Sequence, residues 1–235
     1  MGSTPQMDRQ TMKAPVSSQS LRRIARLCPL RSKRWERCYT IMKLRSDPVY
    51  AAVTDELAGS SLPVLDIGCG IGLLGFYLRE AGYGPDVSGF DYDSQKIACA
   101  QSMVARSDYG GLSFMTGDAR QGLPDSCGHV VILDILQFFT REEQSALLSA
   151  AASRVAPGGR LIIRTCLRDE SRRYRITVAG DWLAKLTFWM KASPVHYPDR
   201  ALFESVLGAV GLRVRVQPLW GGTPFNNHLI VAERE

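Results

Sequence analysis

From residue 62 onward, short apolar runs alternate with longer amphipathic stretches. Residues 64–67, 87–90, 112–115, 129–133 and 160–166 each form a run of four to seven residues rich in Val, Ile, Leu and Phe. Runs of that length, bounded by Gly, Pro and Asp, predict β-strands. The run at 129–133 is continuously apolar after its first residue, as in a parallel strand covered on both faces. Residues 72–81, 94–107 and 141–155 predict helices between the strands. Gly82-Tyr83-Gly84-Pro85 reads as a turn, and Pro157-Gly158-Gly159 ends a helix. After Cys166 the rhythm breaks into an insertion, 167–198, rich in arginine and aromatics. A helix at 199–208 and strands at 212–219 and 228–233 follow. The loop between that last pair is too short for a crossover helix, so the pair must be an antiparallel hairpin.

Upstream of the alternation, residues 1–19 are polar and aperiodic, which predicts a disordered tail. Residues 20–60 read as two or three helices punctuated by Pro29 and Pro48. They form a basic helical extension ahead of the main domain, 61–235, whose insertion reads as a lid. At 235 residues and 45% hydrophobic content, the chain suits one α/β domain with additions. No apolar run approaches the roughly 18 residues of a membrane span. The first residues lack the apolar core of a secretory signal, and Gln6 spoils a myristoylation pattern at Gly2. These features predict a cytoplasmic protein. The six cysteines form no Cys-x-x-Cys pair, and no His/Cys cluster has zinc spacing. Reduced thiols and no metal are expected.

The net charge of +6 is unevenly placed. Residues 21–46 hold nine bases (Arg22, Arg23, Arg26, Arg31, Lys33, Arg34, Arg37, Lys43, Arg45) against one acid, Glu36. Such a segment fits an acidic partner, whether a carrier protein, a nucleic acid or an anionic membrane surface. It equally fits a solvated helix face that packs through Leu21, Ile24, Leu27, Trp35, Tyr39 and Met42.

The candidate chemistry begins at Val64-Leu65-Asp66-Ile67-Gly68-Cys69-Gly70-Ile71-Gly72. A strand ends in an aspartate, and glycines at alternate positions lead into a helix. Such a turn brings backbone close to a nucleoside-containing ligand. Gly89-Phe90-Asp91-Tyr92-Asp93 follows the second strand, with Asp91 a little over 20 residues beyond the first glycine. Gly117-Asp118-Ala119 follows the third strand, and Leu133-Asp134-Ile135-Leu136-Gln137-Phe138 ends the fourth. In this order, with the closing hairpin, these segments resemble the class I S-adenosylmethionine-dependent methyltransferases. The resemblance covers residues 62–166 closely and the remainder in outline. A nicotinamide fingerprint, Gly-x-Gly-x-x-Gly, is missing because Leu73 stands at its last position.

The resemblance implies an α/β fold: a Rossmann-like seven-stranded sheet, mostly parallel with the last strand antiparallel, flanked by helices. It implies S-adenosylmethionine as cofactor and S-adenosylhomocysteine as product. By resemblance, Gly68, Cys69, Gly70 and Gly72 wrap the cofactor, and Asp66 holds its methionine amino end. Asp91 accepts from the ribose hydroxyls, and Tyr92 packs on the adenine. Asp118 and the Ala119 backbone read the adenine edge, and Asp134 occupies the polar position after the fourth strand. Cys69 reads as a small space-filler rather than a nucleophile, and Asp93 as a helix cap. Gln137 departs from the family, which often has a histidine nearby.

Ligands of open parallel sheets bind beyond the carboxyl ends of the strands. That edge receives Gln137 and the hairpin loop with Trp220, Phe225, Asn226, Asn227 and His228, which are expected to contact the substrate or flank the transferred methyl. His129 starts its strand and belongs to the opposite edge. His196 and His228 are the candidate bases, followed by Tyr197 and Asp134. Arg168, Arg172, Arg173 and Arg175 read as an anion clamp or a solvated lid face. Trp182, Leu186 and Trp189 recur at helical spacing beside Leu183 and Met190, as lid packing or a pocket lining. The combined expectation is methylation of a small aromatic or acyl-type substrate, at oxygen before carbon, with delivery on an acidic carrier as an extension. A nucleic-acid methyltransferase and a catalytically silent scaffold are the rivals.

Overall fold

Burial along each strand decides where it sits in the sheet. The computed structural model describes residues 16–28, 34–186 and 194–234. β1 (Val64–Ile67), β4 (His129–Leu133) and β5 (Arg160–Cys166) are buried along almost their whole length. β3 (Leu112–Thr116) and β6 (Leu212–Pro218) alternate buried and open positions. With β2 (Val87–Asp91) and β7 (Asn227–Arg234), they form one sheet in the order β3-β2-β1-β4-β5-β7-β6. The doubly buried strands are central and the alternating ones are the two edges, as hydrophobic patterning requires. β7 runs antiparallel to both β5 and β6, and the predicted hairpin is therefore borne out.

Helices cover both faces. On one lie α1 (Ser18–Leu27), α3 (Val49–Glu56), α4 (Leu73–Glu80) and α5 (Ser94–Ala105), which bury Ile24, Val53, Phe76 and Met103 against Val64, Val131 and Ile162. α2 (Arg34–Ser46) adds Leu44 to that layer. On the other face, α6 (Arg141–Ser153) and α8 (Arg200–Ala209) bury Leu147, Leu148 and Phe203 against Ile67, Ile132 and Ile163. Each fully buried Leu, Ile or Phe contributes roughly 1.5–3 kcal/mol, so these two layers dominate stability. α7 (Arg172–Leu186) lies in the insertion after β5. Among the described residues, no helix is long and apolar enough to cross a membrane.

The N-terminal expectations need two corrections. Ser17 caps α1 by accepting from the Ser20 N–H, so order begins before residue 20; residues 1–15 lie outside the described ones. Met42 is 68% exposed rather than packed, because Leu44 is the residue of its turn that faces the core. Leu21 and Ile24 are buried as expected. Trp35 and Tyr39, as side chains, and Arg31 and Lys33 lie outside the described residues.

His129 staples the edge opposite the strand carboxyl ends, as its place at the start of β4 implies. Its Nδ1 accepts from the Arg160 N–H at 3.0 Å, so its Nε2–H donates to Ser60 Oγ at 2.7 Å. The ring is buried and, with Arg160 close by, its pKa falls to about 4. A histidine depressed in the fold stabilises fully above its unfolded pKa of roughly 6.5, and that stability is lost as pH falls towards 4. The thermal midpoint is therefore expected to drop more steeply in the wild type than in His129→Gln between roughly pH 7 and 5. Parallel slopes in a thermal-melt series would contradict this.

Candidate active site

The turn after β1 is shaped by what stands behind it. Gly68, Gly70 and Gly72 have φ of 75°, 58° and 75°. A Cβ on Gly68 would lie 2.7 Å from Ile135, and one on Gly72 would lie 2.5 Å from the Phe114 ring. A Cβ on Gly70 would meet nothing within 4 Å. Two glycines thus back onto the core while the third faces open space, leaving a concave stretch of backbone. Cys69 packs on Gly89, where a Cβ would come within 2.7 Å of it. Burial pushes its thiol far above the usual range, so it stays protonated. Its side chain is the expected space-filler, and only its backbone belongs to the turn.

Two acids flank this turn. The Gly70 N–H donates to Asp91 Oδ2 at 2.9 Å, and the Asp93 N–H donates to Asp91 Oδ1 at 2.9 Å. Asp91 therefore clamps the glycine turn to the end of β2, and each oxygen keeps lone-pair capacity for a hydroxyl. Asp66 is buried in β1, opposite Gly89 of β2. Burial, with Asp91 nearby, lifts its pKa to about 7. Asp93 caps α5 through the Gln95 N–H, as expected. Tyr92 is 53% exposed at the same edge.

Beyond β3, Asp118 Oδ1 accepts from the Arg120 N–H at 3.0 Å. The Arg120 side chain reaches Glu143 and the Phe138 carbonyl and lies 4.3 Å over the Phe139 ring. Arg120, which no sequence motif singles out, fastens this loop to the start of α6. Asp118 borders a cavity of about 300 Å³ shared with Phe90, Met115 and Leu123. Ala119 sits in the same loop, partly buried against the α6 layer.

The hairpin loop braces α7. Arg173 lies 4.4 Å over the Trp220 ring and donates to the Thr223 carbonyl. Phe225 approaches Gly180 so closely that a Cβ there would lie 3.3 Å from its ring. Trp220 and Phe225 are each 37% exposed. His228 stands edge-on to Trp220 at 6.2 Å, and its Nδ1 is 3.0 Å from the Asn226 carbonyl. A carbonyl only accepts, so Nδ1 carries the proton and Nε2 the lone pair. Burial lowers the His228 pKa, against the pull of Asn226 and Asp169. Asn227 pairs with Cys166 in the ladder between β7 and β5.

Several expected contacts have other partners. Asn226 is 1% exposed; its amide donates to the Leu167 carbonyl and Asp169, and its N–H to Thr177. It ties the insertion to the hairpin and is not a substrate contact. Tyr197 is buried edge-on to Tyr174 and packs rather than reacts. The His196 backbone is gripped by the Gln137 carbonyl and the Gln144 amide, and its ring lies within electrostatic reach of Glu142 at the α6 N-terminus. Gln137 is 9% exposed and donates to the Asp134 carbonyl. Arg173 is committed to Trp220, so the four insertion arginines do not form one clamp. The side chains of Trp182, Leu183 and Leu186, and Trp189 and Met190 altogether, lie outside the described residues.

The N-terminal extension also reaches this edge. Arg164 of β5 forks onto Asp47 with contacts of 2.9 and 3.0 Å and also bonds Asp134. Pro48 abuts Gly221 of the hairpin loop, within 3.1 Å of where its Cβ would be. Of the basic residues on α1, Arg23 pairs with Glu80, while Arg22 and Arg26 border a cavity of about 250 Å³ with Ala25 and Ile41.

Residues 64–159 match the family model of a methyltransferase domain. Ribosomal protein L11 methyltransferase of Burkholderia vietnamiensis is 34% identical over 112 residues, which are 46% of this chain and 33% of that protein. The chain thus spans about a third of the length of the curated relatives it matches. Magnesium protoporphyrin IX methyltransferase from Synechocystis, solved with bound S-adenosylhomocysteine, superposes with a TM-score of 0.63 at 22% identity, covering 93% of this chain and 95% of that one. Mitomycin 7-O-methyltransferase superposes with a TM-score of 0.63 at 20% identity, covering 90% and 60%. The residues present fit a cofactor of this kind: an open concavity at Gly70, a carboxylate clamp at Asp91 and a buried acid at Asp66. Residues 64–159 are thus a methyltransferase domain, carried on the fold seen in solved methyltransferases that bind S-adenosylmethionine or S-adenosylhomocysteine.

Proposed function

We propose that this protein moves a methyl group from S-adenosylmethionine to an oxygen of a small aromatic acceptor. The observation that carries this reading is the aromatic lip of Trp220 and Phe225 beside a histidine of fixed tautomer, His228. A flat apolar acceptor is stabilised by stacking on such a lip. The cofactor, when bound, supplies an electrophilic sulfonium methyl. The chain's own residues orient the acceptor, exclude water and take its proton. His228 is suited to receive that proton, because Asn226 holds Nδ1–H, Nε2 is left with its lone pair, and burial keeps the ring neutral. Magnesium protoporphyrin and mitomycin, named in two proteins of the same fold, are small molecules, which agrees in kind. The weight rests on this chain's residues, since a fold alone does not choose a substrate.

The test is a screen of phenolic and carboxylic acceptors for S-adenosylhomocysteine release, followed by His228→Gln. Loss of general-base help is expected to lower kcat by roughly 100-fold or more while S-adenosylhomocysteine affinity stays within about twofold. An unchanged kcat would remove His228 from the mechanism. Tight cofactor binding without turnover of any acceptor would favour the scaffold.

Asp66 yields a separate expectation. Its buried carboxyl, near neutrality in the ligand-free protein, must ionise to face an ammonium. Affinity for S-adenosylhomocysteine is expected to rise between roughly pH 6 and 8, with proton release seen as a buffer-dependent binding heat. Because the folded pKa lies above the unfolded one, the charged form destabilises the ligand-free fold as pH climbs through about 7. Asp66→Asn is therefore expected to melt higher without ligand and to bind more weakly. A pH-independent affinity would contradict the assignment.

A further inference from the structure

Like charges four residues apart on a helix repel one another, and an anion that meets both relieves the repulsion. Arg22 and Arg26 stand in that relation on α1, and both are exposed. The apolar face of α1 is already engaged: Leu21, Ile24 and Ala25 are buried where the helix packs on α4 and α5. Two neighbouring arginines are engaged as well. Arg23 pairs with Glu80 at 3.3 Å, and Arg106 donates to the Cys28 and Arg26 carbonyls at the end of α1. Among the described residues, neither the Arg22 nor the Arg26 guanidinium has an acidic partner.

Between these arginines and α2 lies a recess of about 250 Å³, with Ala25 and Ile41 as its apolar floor. Arg45, also exposed, stands one turn beyond Ile41 on the same side of α2. The recess is smaller than the roughly 300 Å³ at which small-molecule pockets begin, and it suits one anchoring side chain of a larger partner. Three features point to a protein. Seating in a bilayer surface needs apolar side chains that project from a helix, and those of α1 face the core. None of the four residues lining the recess is aromatic, so it has no platform on which bases stack. Arginines without acids around an apolar hollow complement carboxylates around an apolar side chain. An acidic helix with Glu or Asp four residues apart beside a Leu or Phe has that arrangement. Residues 1–15 of this chain do not, since they hold Asp8 against Arg9 and Lys13.

We infer that the groove between α1 and α2 docks an acidic helix of a protein partner, with Arg22 and Arg26 meeting its carboxylates and the recess taking its apolar anchor. The place suits delivery. Ile41 comes six residues before Asp47, roughly 9 Å along a helix axis. Asp47 is bonded to Arg164 near the carboxyl end of β5. An acceptor carried on such a partner arrives beside the edge where the strands end. The docking surface does not depend on which acceptor is methylated.

The test is a fluorescence-anisotropy titration of the full chain with a labelled helical peptide, which carries two Glu four residues apart beside one Leu. At about 0.15 M salt, where loose surface attraction is screened, saturable binding is expected. Arg22→Gln combined with Arg26→Gln is expected to weaken it roughly tenfold or more, as the loss of charge-assisted hydrogen bonds implies. Both positions are exposed, so the fold is kept. A second peptide with Ser in place of Leu leaves the protein untouched and is expected to bind roughly tenfold more weakly, because its anchor is gone. No saturable binding at millimolar peptide would overturn the inference. Equal affinity for the Leu and Ser peptides would overturn it too, as a diffuse attraction of acids to a basic face. The same titration is run with a single-stranded oligoribonucleotide and with phosphatidylglycerol vesicles. Tighter binding of either than of the peptide, lost with Arg22 and Arg26, would assign the surface to nucleic acid or membrane and end the protein proposal.

Discussion

The Gly70 N–H donates to the Asp91 carboxylate, and the rest of the site depends on that bond. It joins the turn after β1 to the end of β2. It holds in a left-handed conformation a backbone that would otherwise be loose. The neighbouring strands are fitted to the same turn. Phe114 of β3 closes the space behind Gly72, and Ile135 after β4 closes the space behind Gly68. Four strands therefore converge on one concavity, and side chains at the ends of those strands inherit their positions from it. The N-terminus of α4 opens onto the same place, with Gly72 as a cap that has no side chain to occupy its free N–H groups.

Charge at this edge is arranged in opposed layers. Asp66 and Asp91 repel one another across the glycine turn, which with burial keeps Asp66 near neutrality. Arg120 restrains the loop that carries Asp118, and Arg164 restrains Asp134. Both arginines act at one remove, since each holds an acid that faces the open side. Removing one partner of such a buried set leaves an uncompensated charge, a larger penalty than the net worth of the pair. That asymmetry makes Arg164 a structural commitment of the fold.

Much of this was legible along the chain because the signals were local. Apolar runs of strand length, alternate glycines and the short final loop determine the sheet and its antiparallel strand without tertiary information. His129 belonged to the far edge because it starts its strand, and Asp93 read as a cap from its place before a helix. The rest depended on contacts that no local pattern carries. Asp47 and Arg164 are 117 residues apart, so no local pattern pairs them. A lone arginine in Leu161-Ile162-Ile163-Arg164 was the available signal, since a buried strand arginine demands a carboxylate. Asn226 looked like a substrate contact because its loop reaches the right edge. Its amide instead satisfies the Leu167 carbonyl and Asp169 and so fastens the insertion in place. Likewise, Met42 fitted a helical stripe, but Leu44 took the core position.

The central claim is that the glycine turn, the acidic loops and the α2–α3 link form one cofactor site. Hydrogen–deuterium exchange with and without S-adenosylhomocysteine addresses it directly. The account predicts joint protection of residues 66–74, 91–95, 117–121 and 43–50 on binding. Protection that spared residues 43–50 while covering the turn would detach the N-terminal extension from the site. No protection at the turn would contradict the account as a whole.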